Sequence, residues 1–197
     1  MSGAPLWESD DERAWRRALE SYPQVIAAQG VPKLPALDTW YREELPLVFT
    51  DRRLPFVTLA ELVQVTEWKM YRGVWRAPNL VRVKANDPDL VVETMVRAMS
   101  HCPQPTKPVG EIAKLDGVGP ATASAVLAAL MPHVYPFFDE LVAAQVPELG
   151  VVKWTLGYYA QYAEQLRTRA TALGDGWTAA MVERALWAVV GGKTGTR

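Results

Sequence analysis

The sequence predicts an all-α protein: an irregular array of many short helices forming one globular domain. No segment sustains the apolar–polar alternation that a half-buried strand needs. Helix starts are frequent: Ser9 with Glu12 and Thr58 with Glu61 fit capping boxes, and Asp87-Pro88 fits an N-cap followed by proline at the first helical position. Stops answer them, with Gly30, Gly73, Gly174 and the Gly191–Gly192 pair placed where helices should end.

Taken in order, a first helix over 10–20 opens at the Ser9 box, and a second over 23–29 ends at Gly30. One over 38–45 follows, then 59–72 between the Thr58 box and Gly73, and 78–85. Asp87 opens 88–101; 108–114 and 120–131 flank a glycine turn, the latter beginning at Pro120. Helices over 139–146, 155–173 and 178–190 complete the chain, leaving "GGKTGTR" as a frayed tail. Prolines between short helices argue for an irregular array and against an up-down bundle. The expected division is two helical lobes, one over about 60–150 and the other made of 1–59 with 151–197.

Among the 197 residues, 49% are hydrophobic and 22% charged, as in ordinary globular proteins. No apolar run approaches the ~20 residues needed to span a bilayer, so no membrane partner is expected. The acidic N-terminus lacks the basic flank and apolar centre of a signal peptide, which predicts an intracellular protein of the nucleus or cytoplasm. A single cysteine, Cys102, allows no internal disulfide, iron–sulfur cluster or cysteine-type zinc site. His101 beside it makes two neighbouring ligand types and no metal site.

The net charge of −1 excludes a protein that coats nucleic acid by charge alone. Charge is nevertheless uneven. Residues 66–84 carry Lys69, Arg72, Arg76, Arg82 and Lys84 against Glu67, five minus one or +4, while residues 1–65 hold ten acids and seven bases. That polarity suits one anion-facing side, and equally a solvated helix face. In the same stretch Trp68 and Tyr71 are three apart and Trp68 and Arg72 four apart, so one helix face could present ring and guanidinium together. The alternative packs the tryptophan inward and leaves the cations in water. Trp154, Tyr158, Tyr159 and Tyr162 read as one core-facing helix stripe, joined in the core by Trp177, Leu186 and Trp187.

The densest signal is "AKLDGVGPATASAVLAALMPHVYPFFDEL" over 113–141. Gly117 and Gly119 can take positive φ and leave no side chain between backbone and ligand. The amides of the turn and of the next helix's first turn then face outward as unpaired donors, a ready anion site. Val118 plugs inward between the two helices, Thr122 adds a hydroxyl and Lys114 a nearby cation.

"LDGVGPATA" resembles the helix–hairpin–helix element, and the stretch through Asp139 is similar to the helix–hairpin–helix DNA glycosylase superfamily of base excision repair. Asp139 lies 139 − 117 = 22 residues past the first turn glycine, after a proline-bearing loop and the apolar lead-in Phe137-Phe138. The resemblance covers about 106–145. It implies DNA, double- or single-stranded, as partner, held at its backbone by Lys114, Gly117, Val118, Gly119, Ala121 and Thr122. It implies Asp139 as catalytic residue, with Trp68, Lys69, Tyr71, Arg72, Trp75 and Arg76 as candidates for a base pocket or basic surface. No metal or organic cofactor is expected, beyond a monovalent cation at the turn's carbonyls.

Two departures matter. Strand-cutting relatives carry a lysine where this chain has Pro120 and Ala121, so Schiff-base chemistry there is not expected. The arginine that usually follows the aspartate by a turn is replaced by Ala143 and Ala144. Three readings stay open: a monofunctional glycosylase-like enzyme, a catalytically silent nucleic-acid-binding or scaffold module, and a purely structural domain in which Asp139 is an N-cap. Glu140 is the alternative carboxylate one position on.

Overall fold

A computed structural model describes residues 5–195. The chain is all-α: among the described residues there is no strand, and no helix is long and apolar enough to cross a membrane. After a 3-10 turn at Leu6–Glu8 come α1 (Glu12–Glu20), α2 (Tyr22–Ala28) and α3 (Leu34–Thr39). A π-helical turn at Trp40–Glu44 leads into α4 (Leu45–Thr50). The middle of the chain holds α5 (Leu59–Arg72), α6 (Ala77–Lys84), α7 (Pro88–Ser100), α8 (Lys107–Ile112) and α9 (Pro120–Leu130). Then follow α10 (Glu140–Ala143), a 3-10 turn at Pro147–Leu149, α11 (Leu156–Leu173), α12 (Ala179–Val189) and α13 (Gly192–Gly195).

Local chemistry sets most of these ends. Both halves of the capping box form at α5, with the Glu61 amide on Thr58 Oγ1 at 3.3 Å and the Thr58 amide on Glu61 Oε2 at 2.7 Å. Asp87 accepts from the amides of Asp89 and Leu90 at the start of α7. The Ser9 box does not form. Asp11, directly before the helix, takes the Arg13 amide and starts α1 at Glu12, while Ser9 Oγ accepts from Asp11. The helix expected over 38–45 is part of a longer run from Leu34 to Thr50. Pro35 and Pro46 open helices there, where their missing N–H costs nothing, and the wider π turn joins the pieces. Pro147 limits α10 to four residues by starting a 3-10 turn. The expected frayed tail is ordered through Gly195: Gly192, at φ +57°, approaches Trp187 so closely that an added Cβ would meet the ring at 2.5 Å. Thr196 and Arg197 lie outside the described residues.

The ends of the chain close on each other. Helices α1, α2 and α11 pack against α12, while α5 packs on α3, α6 and α9, and α8 bridges α7 and α9. One continuous apolar core joins them, with Trp15, Trp68, Tyr159, Tyr162 and Trp187 wholly enclosed.

At its centre lies a charge. Arg72, 1% exposed, donates to both carboxylate oxygens of Glu183 on α12. Its guanidinium sits 4.4 Å from the Trp187 ring centre, 5.1 Å from Phe137, 5.3 Å from Trp68 and 5.6 Å from Tyr22. Burial pushes the Glu183 carboxyl up to about 7, against the pull of Arg72. Removing one partner strands the other charge in an apolar interior. Glu183→Ala should therefore lower the unfolding free energy by about 3–5 kcal/mol in urea titrations. The double change Arg72→Met with Glu183→Leu, which removes both charges, should cost far less.

Candidate functional site

Asp139 is built into the site by the residues before it. Pro136 to Phe138 run buried through the core without regular secondary structure, and side chains from two helices hold their polar groups. On α11, Tyr159 and Tyr162 donate to the carbonyls of Pro136 (3.1 Å) and Phe137 (2.7 Å). On α9, Ser124 Oγ accepts the Phe138 amide at 2.9 Å. The Phe138 ring packs within 6 Å of the rings of Tyr158, Tyr159, Tyr162 and Trp154. Asp139 emerges from this grip as the N-cap of α10, its Oδ1 accepting the Leu141 amide at 2.8 Å. The N-cap reading of Asp139 is thus correct as far as one oxygen goes. The other, Oδ2, lies 3.9 Å from Arg72 Nη2. An arginine does stand beside the aspartate, supplied by α5.

Asp139 is 8% exposed and lines a pocket of about 200 Å³ with Lys69, Arg72, Arg76, Glu140 and Trp154 among its walls. That volume is below the ~300 Å³ at which drug-sized sites begin, and suits one ring. Burial, and next the charge of Arg76, push the Lys69 amine below its ordinary value, while Asp139 and Glu140 pull the other way. Lys193 of α13 donates to the Gly73 carbonyl at 2.6 Å and closes the pocket's edge.

The glycine turn lies on the other side of α6. Gly117 takes φ +73°, as expected, but for a reason of packing: a Cβ there would meet the Asn79 carbonyl at 2.5 Å and Arg82 and Val83 at 2.9 Å. Its bare side faces α6 and no ligand. Asn86 locks the turn by exchanging two 2.9 Å hydrogen bonds with the Asp116 backbone. Val118 is buried, as expected of an inward plug, and Ala121 and Thr122 are buried too, so the Thr122 hydroxyl is not presented to solvent. Gly119 is exposed with open space around it but sits at φ −103°, not at the positive φ expected of it, and α9 starts without a side-chain cap at Pro120, which has no N–H, followed by the buried Ala121 and Thr122. Lys114 is exposed and ion-paired to Glu111 at 2.6 Å.

The structure thus brings Asp139, Lys69, Arg72 and Arg76 together and leaves the turn residues outside their pocket. Trp68 and Arg72 do share a helix face, but it is turned into the core and not to a basic surface. Trp68 is 1% exposed, stacked on Tyr41 at 3.7 Å and donating to Asp38 at 2.9 Å. Tyr71 points to a different groove beside Lys33 and Leu37, its ring 4.8 Å from that of Trp75, which is 44% exposed. The sequence reading missed Trp154 and Lys193. Trp154 stands ahead of α11, half exposed at the pocket, and its helical spacing to the tyrosines was misleading. Lys193 sat in the presumed tail. Among the described residues, no group of three or more His, Cys, Asp or Glu side chains could hold a metal ion.

Comparison with protein-family models, curated proteins and solved structures finds no match to this chain.

Two outcomes follow from the geometry. Gly117→Ala should lower stability by more than about 1 kcal/mol, whereas Gly119→Ala should stay within about 1 kcal/mol, as thermal unfolding will report. Lys69 binds its proton less tightly when folded, so stability attributable to it grows as pH rises toward 10.5. Lys69→Met should accordingly stabilise the protein at pH 7, and the gain should shrink in titrations carried to pH 10.

Proposed function

We propose that this protein binds DNA and acts as a DNA-glycosylase-like enzyme, in which Asp139 assists hydrolysis of the N-glycosidic bond of a damaged base without cutting the strand. The observation that carries the reading is the Asp139 pocket. A pocket-lining carboxylate, with Oδ1 tied by its cap and Oδ2 3.9 Å from Arg72 Nη2, sits among cations, next to an exposed basic helix that touches the glycine turn.

Arg76, Arg82 and Lys84 lie exposed along α6 and its approach, with Arg76 lining the pocket and Arg82 beside the Gly117 turn. Cations of this kind grip phosphates without reading sequence. A base leaving the stack would enter the pocket beside Phe138 and Trp154. As the C1′–N bond lengthens, positive charge grows on the sugar, and Asp139 Oδ2 is the group placed to stabilise it and orient water. Pro120 and Ala121 offer no amine at the start of α9, so the lysine of strand-cutting relatives has no counterpart there. Lys69 and Arg76 are assigned to a phosphate at the pocket's rim.

The test is base release from oligonucleotides carrying a panel of damaged bases, comparing native protein with Asp139→Asn. Asparagine still accepts the Leu141 amide as an N-cap, so the exchange removes charge and keeps the local fold. Release should fall about 100-fold or more. Silence across the panel, with salt-sensitive DNA binding that Arg76→Gln and Arg82→Gln weaken, would leave a clamp without chemistry. Strand scission lost in Lys69→Met would make Lys69 a nucleophile. Absence of both release and binding would sink the proposal.

A further inference from the structure

Behind the Arg72–Phe137 partition, away from Asp139, lies a second and larger cavity of about 360 Å³ that the proposed chemistry does not use. Its size is that of a small-molecule site. One wall is aromatic: Trp68 and Tyr41 stack at 15° between planes, with Phe137 set edge-on 5.2 Å from Trp68. The π-helical turn presents Tyr41 and Arg42 as consecutive residues to the same cavity, a backbone irregularity often kept at functional sites.

The charges lining it do not balance. Arg42 donates to Asp38 at 2.7 Å, and Arg72 is matched by Glu183. Arg184 lines the cavity with no carboxylate within 4.0 Å among the described residues, and its Nε is buried without a hydrogen-bond partner. Burial pushes this guanidinium below the ordinary arginine value. A buried donor left unmet is costly, and an incoming oxyanion would meet it.

We infer that this cavity is a binding site for a small planar oxyanion, an aromatic ring bearing a carboxylate or phosphate, with the ring against the Tyr41–Phe137 wall and the anion at Arg184 and Arg42. The mouth, formed by Pro46, Thr50 and Thr178, opens to solvent, so the ligand enters without unfolding the core. The inference stands apart from the Asp139 pocket and does not depend on DNA binding.

The experiment is a calorimetric titration of the full chain with 2-naphthoate, 1-naphthyl phosphate and the neutral 2-naphthamide. At least one anion should bind saturably and ten-fold or more tighter than the amide; which anion wins tells carboxylate from phosphate. Arg184→Met should bring the anion down to the level of the amide, and Arg184→Lys should restore part of the difference. Thr50→Trp, at an exposed rim position that tolerates change, should abolish binding with the fold intact. In methyl NMR, the Met181 signal should move on binding and that of Met95 should not. No saturable binding to native protein, equal binding of anion and amide, or indifference to both the Arg184 and Thr50 changes would overturn the proposal.

Discussion

One buried guanidinium organises this protein. Arg72 lies in the core among four aromatic rings, and its charge is tolerable there only while Glu183 bonds it and the rings surround it. Satisfying it requires α5, α12, the Phe137 segment and Tyr22 of α2 to be in place together. The same demand sets the rotation of α5. With Arg72 turned inward, Trp68 four residues earlier is turned inward too, and Lys69 falls at the edge of the Asp139 pocket. Arg72 also forms the wall between the two cavities, so the residue that holds the fold separates its two candidate sites.

Asp139 joins a structural role, the capping of α10, to the chemical role proposed for it. Capping α10 uses Oδ1 and fixes the rotamer, which leaves Oδ2 aimed at a defined place. The chain leading to it is held by Tyr159, Tyr162 and Ser124, all buried. A charge positioned this firmly pays little reorganisation when a reaction needs it. The tyrosine stripe of α11 therefore does more than fill space: two of its hydroxyls satisfy carbonyls that this buried segment would otherwise leave unmet.

Much of this was legible in the residues. The Thr58–Glu61 box, Asp87-Pro88 and Gly73 marked true helix ends because capping is a local bargain among neighbours. Gly117 was rightly expected at positive φ, yet the neighbour that demands it, α6, lies more than thirty positions back in sequence. Spacing put Trp68 and Arg72 on one face correctly but could not say whether that face met water or core. The Ser9 box failed because Asp11 caps α1 by taking the Arg13 amide, while Ser9 Oγ takes the amide of Asp11 itself. Pro35 and Pro46 flank the helix expected over 38–45, and each lies in the first turn of a helix of its own, α3 and α4.

The sequence by itself determined that the chain is helical, where most helices begin and end, and that a carboxylate follows a buried aromatic pair. Each of these rests on contacts between residues a few positions apart. Only the tertiary structure decided that Arg72 belongs to the core, that Lys69, Arg76 and Trp154 gather around Asp139, and that Arg184 lines a second cavity with no carboxylate within 4.0 Å among the described residues. Those outcomes depend on which helix lies against which, and no local interaction carries that information.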